Sequence, residues 1–286
     1  MDDAHHFSME ESIRACHAAG FGCFDLNFHV PATDNGPLTR DDWQDWVLSL
    51  AALREELGVS YPYAHTYFCV WPEPDEGDNE KLMERSIRAA GMLGVKWLAV
   101  HPYSACDEAW YSREASIAYN LRYMRRYAAI ARDYPGMGLA IENMLEDRKK
   151  RRYGSCAEDL LELLHALDDP IFGLCWDFGH AERSNIDHAA SLRQMGKHLK
   201  LLHVHDTNVD ADHTLPFLGT TDWRRILPVL GEIGFEGEMN FEIHNYTRFL
   251  PHEARPAALR LAYEINQSLI AIVDAAKPQK EGDAHE

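Results

Sequence analysis

Short apolar runs alternate with longer amphipathic runs along the 286 residues of this chain. The short runs are GCFDLNF (22–28), SYPYAHTYF (60–68), KWLAVHP (96–102), GLAIEN (138–143), GLCWDFGH (173–180), KLLHVHD (200–206) and EMNFEIHN (238–245). Each is rich in β-formers and bounded by turn residues, so each predicts a strand. They recur every 27 to 42 residues or so, the size of a βα unit.

The longer runs predict helices with readable ends. Ser8 with Glu11 and Ser155 with Glu158 are S-x-x-E patterns of the capping-box type. The run DLLELLHAL after Ser155 spaces its leucines helically. Gly58, Gly94 and Gly234 each close a helical pattern ahead of a strand. Strict alternation predicts a parallel α/β sheet covered by helices. This many units favours closure into a (β/α)8 TIM barrel over an open sheet. Its first strand is short or missing, because only residues 1–7 precede the Ser8 helix, with His5–Phe7 as a stub. Residues 1–276 read as one domain and 277–286 as a frayed tail.

Composition narrows the function. A formal net charge of −18 argues against nucleic acid or an anionic membrane as partner. Cys16, Cys23, Cys69, Cys106, Cys156 and Cys175 form no C-x-x-C pair, so reduced, buried thiols of a cytoplasmic protein are expected. The N-terminus carries no secretory pattern, and no apolar stretch is long enough to span a membrane.

The ionisable residues fall at strand ends: His65, His101, Glu142, Asp177, His203, His205 and Glu242. In a barrel these ends converge on one face. Three carboxylates meeting there repel one another and resist burial. A divalent cation removes that conflict, so Glu142, Asp177, His203 and Glu242 form the candidate ligand set. Arg151 and Arg152 of the KKRR run are candidates to clamp an anionic part of a substrate. Trp71, Tyr103 and Trp176, near strand ends, are candidates to stack on a sugar face.

The motifs GLAIEN, CWDFGHA, HLKLLHVHD, H-x-x-P-x-x-G-x-x-D-W (His213 to Trp223) and GEMNFEIH, in this order, resemble the xylose-isomerase-like barrels. These are sugar and sugar-phosphate isomerases and epimerases that share a fold with the apurinic endonucleases. The resemblance runs from Ser8 to about Ile272. It implies a metal held by Glu142, Asp177, His203 and Glu242, with His180 touching substrate. The oxygen-rich set suits Mn²⁺ first, with Mg²⁺, Co²⁺ or Zn²⁺ as alternatives. It also implies proton transfer by Glu142 and Glu242 through an enediolate, a small sugar or sugar derivative as partner, and a homo-oligomer.

The chain departs from the ketose 3-epimerases of this family at Arg148, where they carry a second Glu, and at Val209, where they carry Arg. It departs from the endonucleases at Ala211, where they carry the Asp of D-x-H, and at Phe217-Leu218-Gly219, where Gly-Glu-Gly is usual. His65, His101, His180 and His213 occupy places similar to the endonuclease histidines and are candidates for substrate contact. The leading expectation is an isomerase or epimerase. The alternatives are a lyase eliminating from an oxidised sugar, such as a 3-keto-glycoside, and then an endonuclease-like hydrolase.

Overall fold

A computed structural model describes residues 8–33, 35–68, 78–106, 110–146 and 151–278. Among them six strands form one parallel sheet in chain order: β1 (Cys23–Asn27), β2 (Ser60–His65), β3 (Trp97–Val100), β4 (Gly138–Glu142), β5 (Phe172–Asp177) and β6 (Leu199–His203). The helices are α1 (Met9–Ala19), α2 (Trp43–Leu57), α3 (Asp78–Met92), α4 (Arg113–Ala131), α5 (Ala157–Leu167), α6 (Phe178–Arg183), α7 (His188–Met195), α8 (Trp223–Glu232) and α9 (Arg255–Ala275). None is long and apolar enough to cross a membrane among the described residues.

The sheet curls. Beyond β6, the expected seventh strand is reduced to a single parallel bridge, Val204 to Phe241. Two backbone bonds hold it: Val204 N–H to Asn240 O (2.8 Å) and Glu242 N–H to Val204 O (3.1 Å). The same segment reaches across to the other end of the sheet. Glu238 N–H donates to Tyr63 Oη (3.0 Å), and Asn240 Nδ2 donates to Asp25 Oδ2 (2.6 Å). The expected first strand at His5–Phe7 lies outside the described residues.

Two apolar layers hold the sheet. The larger packs the helices onto its outer face; α5 buries Leu160, Leu163, Leu164 and Leu167, the i, i+3, i+4, i+7 stripe of an amphipathic helix. Each such side chain contributes about 2 kcal/mol. The smaller layer lines the inside of the curl: Tyr63, Ala99, Ala140, Cys175 and Leu201, with Trp97 against it. Gly138 is required there, because a Cβ on it would lie 2.2 Å from the Trp97 ring.

The Ser8 capping box forms: Ser8 Oγ accepts the Glu11 N–H (3.1 Å) and Glu11 Oε2 accepts the Ser8 N–H (2.8 Å). Ser8→Ala is expected to cost about 1 kcal/mol in urea titration. The Ser155 box does not form. Helix α5 begins after Cys156, and Ser155 Oγ is taken by Glu146 Oε2 (3.1 Å) and Arg151 Nη1 (2.8 Å). Gly58, Gly94 and Gly234 adopt φ of 64°, 72° and 67°, as helix-ending glycines do. Cys106 and Cys175 are buried, Cys16, Cys23 and Cys156 half-buried, and all five are free thiols.

Candidate metal centre

The inner apolar layer also explains the site. Side chains two residues apart share a face of a strand. Two positions beyond Tyr63, Ala99, Ala140, Cys175 and Leu201 stand His65, His101, Glu142, Asp177 and His203. The register keeps them together, pairing Glu142 with Cys175 and Asp177 with His203. Each polar group therefore caps the apolar layer at the end of its own strand.

His203 is the hub. Its Nδ1 lies 3.0 Å from Glu142 Oε1, 3.6 Å from Glu242 Oε2 and 3.9 Å from Asp177 Oδ2. Burial works against charge on His203, but Cys175, Glu142, Glu242 and Asp25 outweigh it and raise the pKa well above the usual range. Burial likewise opposes ionised Glu142, yet His203 and His101 hold it well below the usual carboxylate range. Glu242 goes the other way: burial, with Asp177 and Glu142 nearby, raises it despite His203. Two buried carboxylates, Glu142 and Asp177, and the half-buried Glu242 around one imidazole leave negative charge in excess, and a divalent cation fits that donor set.

Donor atoms also gather in four overlapping groups among the described residues, each within 4.8 Å: Asp177–His205–His213–Glu242, His65–His101–Glu142, Glu142–Cys175–His203 and Glu142–Asp177–His180. In the second group, His65 Nε2 lies 2.9 Å from His101 Nε2, and both face Glu142 Oε2, at 3.1 and 3.3 Å. His65 Nδ1 donates to the Thr66 carbonyl (2.8 Å), so the neutral ring keeps its lone pair on Nε2; burial opposes a second proton there and Glu142 favours it. Burial lowers His101 to a pKa of about 4. These two histidines thus contact Glu142, a member of the candidate ligand set, rather than standing apart on the rim.

Several supports were not evident from the sequence. Asn143 bridges the ends of β4 and β5: its Oδ1 accepts the Asp177 N–H (2.6 Å) and its Nδ2 donates to the Asp177 carbonyl (3.0 Å). His205 Nε2 donates to both oxygens of Asp177 at 3.0 Å, while its Nδ1 accepts the His213 N–H (3.2 Å). Burial resists charge on His205 and Asp177 raises its pKa to about 9; the N–H aimed at Nδ1 works against that second proton. This tautomer makes His205 an orienter of Asp177. Its ring passes so close to Gly179 that a Cβ there would sit 1.8 Å away, which accounts for the glycine of the DFGH run.

His180 is anchored by Nδ1, which donates to the Asn143 carbonyl (2.9 Å). His213 adopts a left-handed φ of 48° and stacks between His205 and His244, each 4.1 Å away centre to centre. Its buried Nδ1 has no hydrogen-bond partner. Strain of this kind collects at functional sites.

Other candidates are placed elsewhere. Arg151 is occupied by Glu146 (2.5 Å) and Asp159 (2.7 Å) and lies over the Tyr111 ring, so it ties down its own loop. The Arg152 N–H donates to Glu146 (2.9 Å) in the same loop. Trp176 and Tyr103 are buried; Trp176 alternates with Asp177 onto the outer face and donates to His188. Neither is open to a sugar. Trp71 lies outside the described residues.

A family model described as a xylose isomerase-like TIM barrel matches residues 13–265. An uncharacterized protein of Methanocaldococcus jannaschii is 29% identical over 164 residues, 56% of this chain and 55% of that protein. An uncharacterized protein of Sinorhizobium fredii is 32% identical over 91 residues, 30% of this chain and 29% of that one. The matched part thus spans about half the length of the first relative and less of the second. Solved structures share the fold throughout. A D-tagatose 3-epimerase-like protein superposes with a TM-score of 0.73 at 21% identity, covering 94% of this chain and 95% of that one. A 3-keto-D-glucoside 4-epimerase from E. coli gives 0.71 at 16%, covering 94% and 97%. A D-psicose 3-epimerase from Clostridium cellulolyticum H10, solved with D-tagatose, gives 0.71 at 15%, covering 93% and 94%.

Proposed function

Because the chain belongs to the xylose isomerase-like TIM barrel family, we propose that it is a divalent-cation-dependent isomerase or epimerase of a sugar or sugar derivative. The observation that carries this reading is the convergence of Glu142, Asp177 and Glu242 on Nδ1 of His203. Those four residues would hold the cation, Mn²⁺ fitting the oxygen-rich set best. When bound, such an ion polarises a carbonyl and acidifies the neighbouring C–H.

The protein's own groups then move the proton. Glu142 and Glu242 are the two carboxylates of the set placed to take up and return a proton; without the cation Glu142 is lowered and Glu242 raised. A proton removed by one and returned by the other on the opposite face gives an epimer. A proton moved between adjacent carbons exchanges aldose and ketose. Related structures named for ketose 3-epimerisation and for a 3-keto-glucoside support ketoses and keto-sugars as the substrates to try first.

A second reading adds a second cation between His65, His101 and Glu142 Oε2, favoured by the bare Nε2 of His65 facing another acceptor. A third, endonuclease-like position lacks its aspartate: Ala211 replaces it, and Asp212 is engaged by Arg183 and Asn245, both at 2.9 Å. Metal analysis of the purified protein separates these cases. One ion per chain supports the single centre, two the paired one, and none overturns both. Deuterium from solvent appearing in a recovered or epimerised keto-sugar supports proton transfer, whereas a cleaved product identifies a lyase.

A further inference from the structure

The interior of the curl contains a carboxylate that the proposed proton transfer does not use. Asp25, on β1, projects into a space lined by the small apolar layer, where an acidic group is costly to bury. Its Oδ2 accepts the Asn240 amide (2.6 Å) and lies 3.5 Å from Nε2 of His203. Its Oδ1 is buried without a hydrogen-bond partner. The ring of His203 thus stands between two sets of acceptors: Nδ1 faces Glu142, Asp177 and Glu242, and Nε2 faces Asp25.

A neutral imidazole has one N–H to give. Glu142 Oε1, 3.0 Å from Nδ1, competes for it, and a proton there would block that nitrogen as a ligand. We propose that Asp25 is the positioning residue of the centre: by drawing the His203 proton to Nε2, it leaves the Nδ1 lone pair aimed at the three carboxylates. This rests on the cation-binding reading above. Asn240 supports it, since an amide donor on Oδ2 keeps that carboxylate turned towards the ring.

The test uses the full-length protein as parent, Asp25→Asn and Asp25→Ala. Mn²⁺ binding by titration calorimetry should weaken 10- to 100-fold or so in Asp25→Ala, and less in Asp25→Asn, whose carbonyl still accepts from Nε2. Nitrogen-15 spectra of the metal-free parent, recorded at a pH above the raised His203 pKa where the ring is neutral, should show the proton on Nε2, with the Nδ1–H tautomer growing in Asp25→Ala. Melting of the metal-free proteins controls for folding, and if Asp25→Ala fails to fold, Asp25→Asn with the parent spectra decides. Equal Mn²⁺ affinity in parent and folded variants, or a neutral parent ring that carries its proton on Nδ1, overturns the inference. A parent that binds no Mn²⁺ overturns the cation reading instead, and the nitrogen spectra still report which nitrogen Asp25 selects.

Discussion

Glu142→Gln and Glu242→Gln are each expected to slow solvent-deuterium incorporation into a keto-sugar by 10²-fold or more, the usual scale for losing a positioned acid or base. Glutamine keeps the length and shape of the side chain but cannot take up a proton. The two variants should differ in a second respect. Glu142 is in contact with His65, His101 and His203, so Glu142→Gln also places an amide among three imidazoles and should weaken cation binding. Glu242 lies 3.6 Å from His203 and 3.7 Å from His213 and is tied into fewer contacts. Glu242→Gln should retain more of its metal while losing exchange. Deuterium wash-in followed by NMR, with metal content measured on the same samples, checks both. A metal-loaded Glu242→Gln that exchanges as fast as the parent would falsify the two-carboxylate reading.

The second large effect falls outside the proton-carrying groups. Asp206→Ala is expected to destabilise the protein by about 3–5 kcal/mol, the cost of breaking a buried charged network. Asp206 is completely buried at the start of the long loop after β6. Its carboxylate accepts four N–H groups: Thr207 (2.9 Å), Phe217 (2.9 Å), Thr221 (3.2 Å) and the Trp223 indole (2.8 Å). Truncation leaves three buried donors and the part-buried Phe217 N–H without an acceptor, and each buried one costs about 1–3 kcal/mol before relaxation. Gly219 packs so tightly on this carboxylate that a Cβ would lie 2.1 Å from Oδ1, so little room exists for water to substitute. The same loop carries His213 beside Glu242, hence exchange activity should fall as well. Melting should shift by about 10 °C. Asp206→Asn should fall between the two, because one amide hydrogen must face a backbone or indole donor. A variant melting within a degree or two of the parent would show that the loop does not depend on this residue.

The fold was legible where the determining pattern is local. The six runs that became β1 to β6 carry the period of a strand, and Ser8 caps α1 with a residue three positions away. The seventh run has the same composition but makes only one bridge, because pairing depends on neighbours the pattern does not contain. Ser155 looked equally capable of capping, yet Glu146 and Arg151 compete for its hydroxyl. The site followed the same rule. Glu142, Asp177, His203 and Glu242 stand where strand parity and strand ends put them. Trp176 was readable as outward, since it alternates with Asp177. Arg151 was not, because its partners are fixed by the loop's own fold. Asp25 shares the inner parity, but its relation to His203 spans the barrel and appears only once the sheet has curled.

The slight attachment of the final segment bears on when the centre is assembled. A chain emerging from the ribosome presents Glu142, Asp177 and His203 well before Glu242 exists. Glu242 is then secured by its bridge to Val204 and by Asn240 beneath it, contacts of long sequence separation that form late. An ion captured before that closure would meet three of the four proposed ligands. On the proposed reading, tight retention of an ion would wait until this segment has closed, and the metal present at that late step would decide which ion is held.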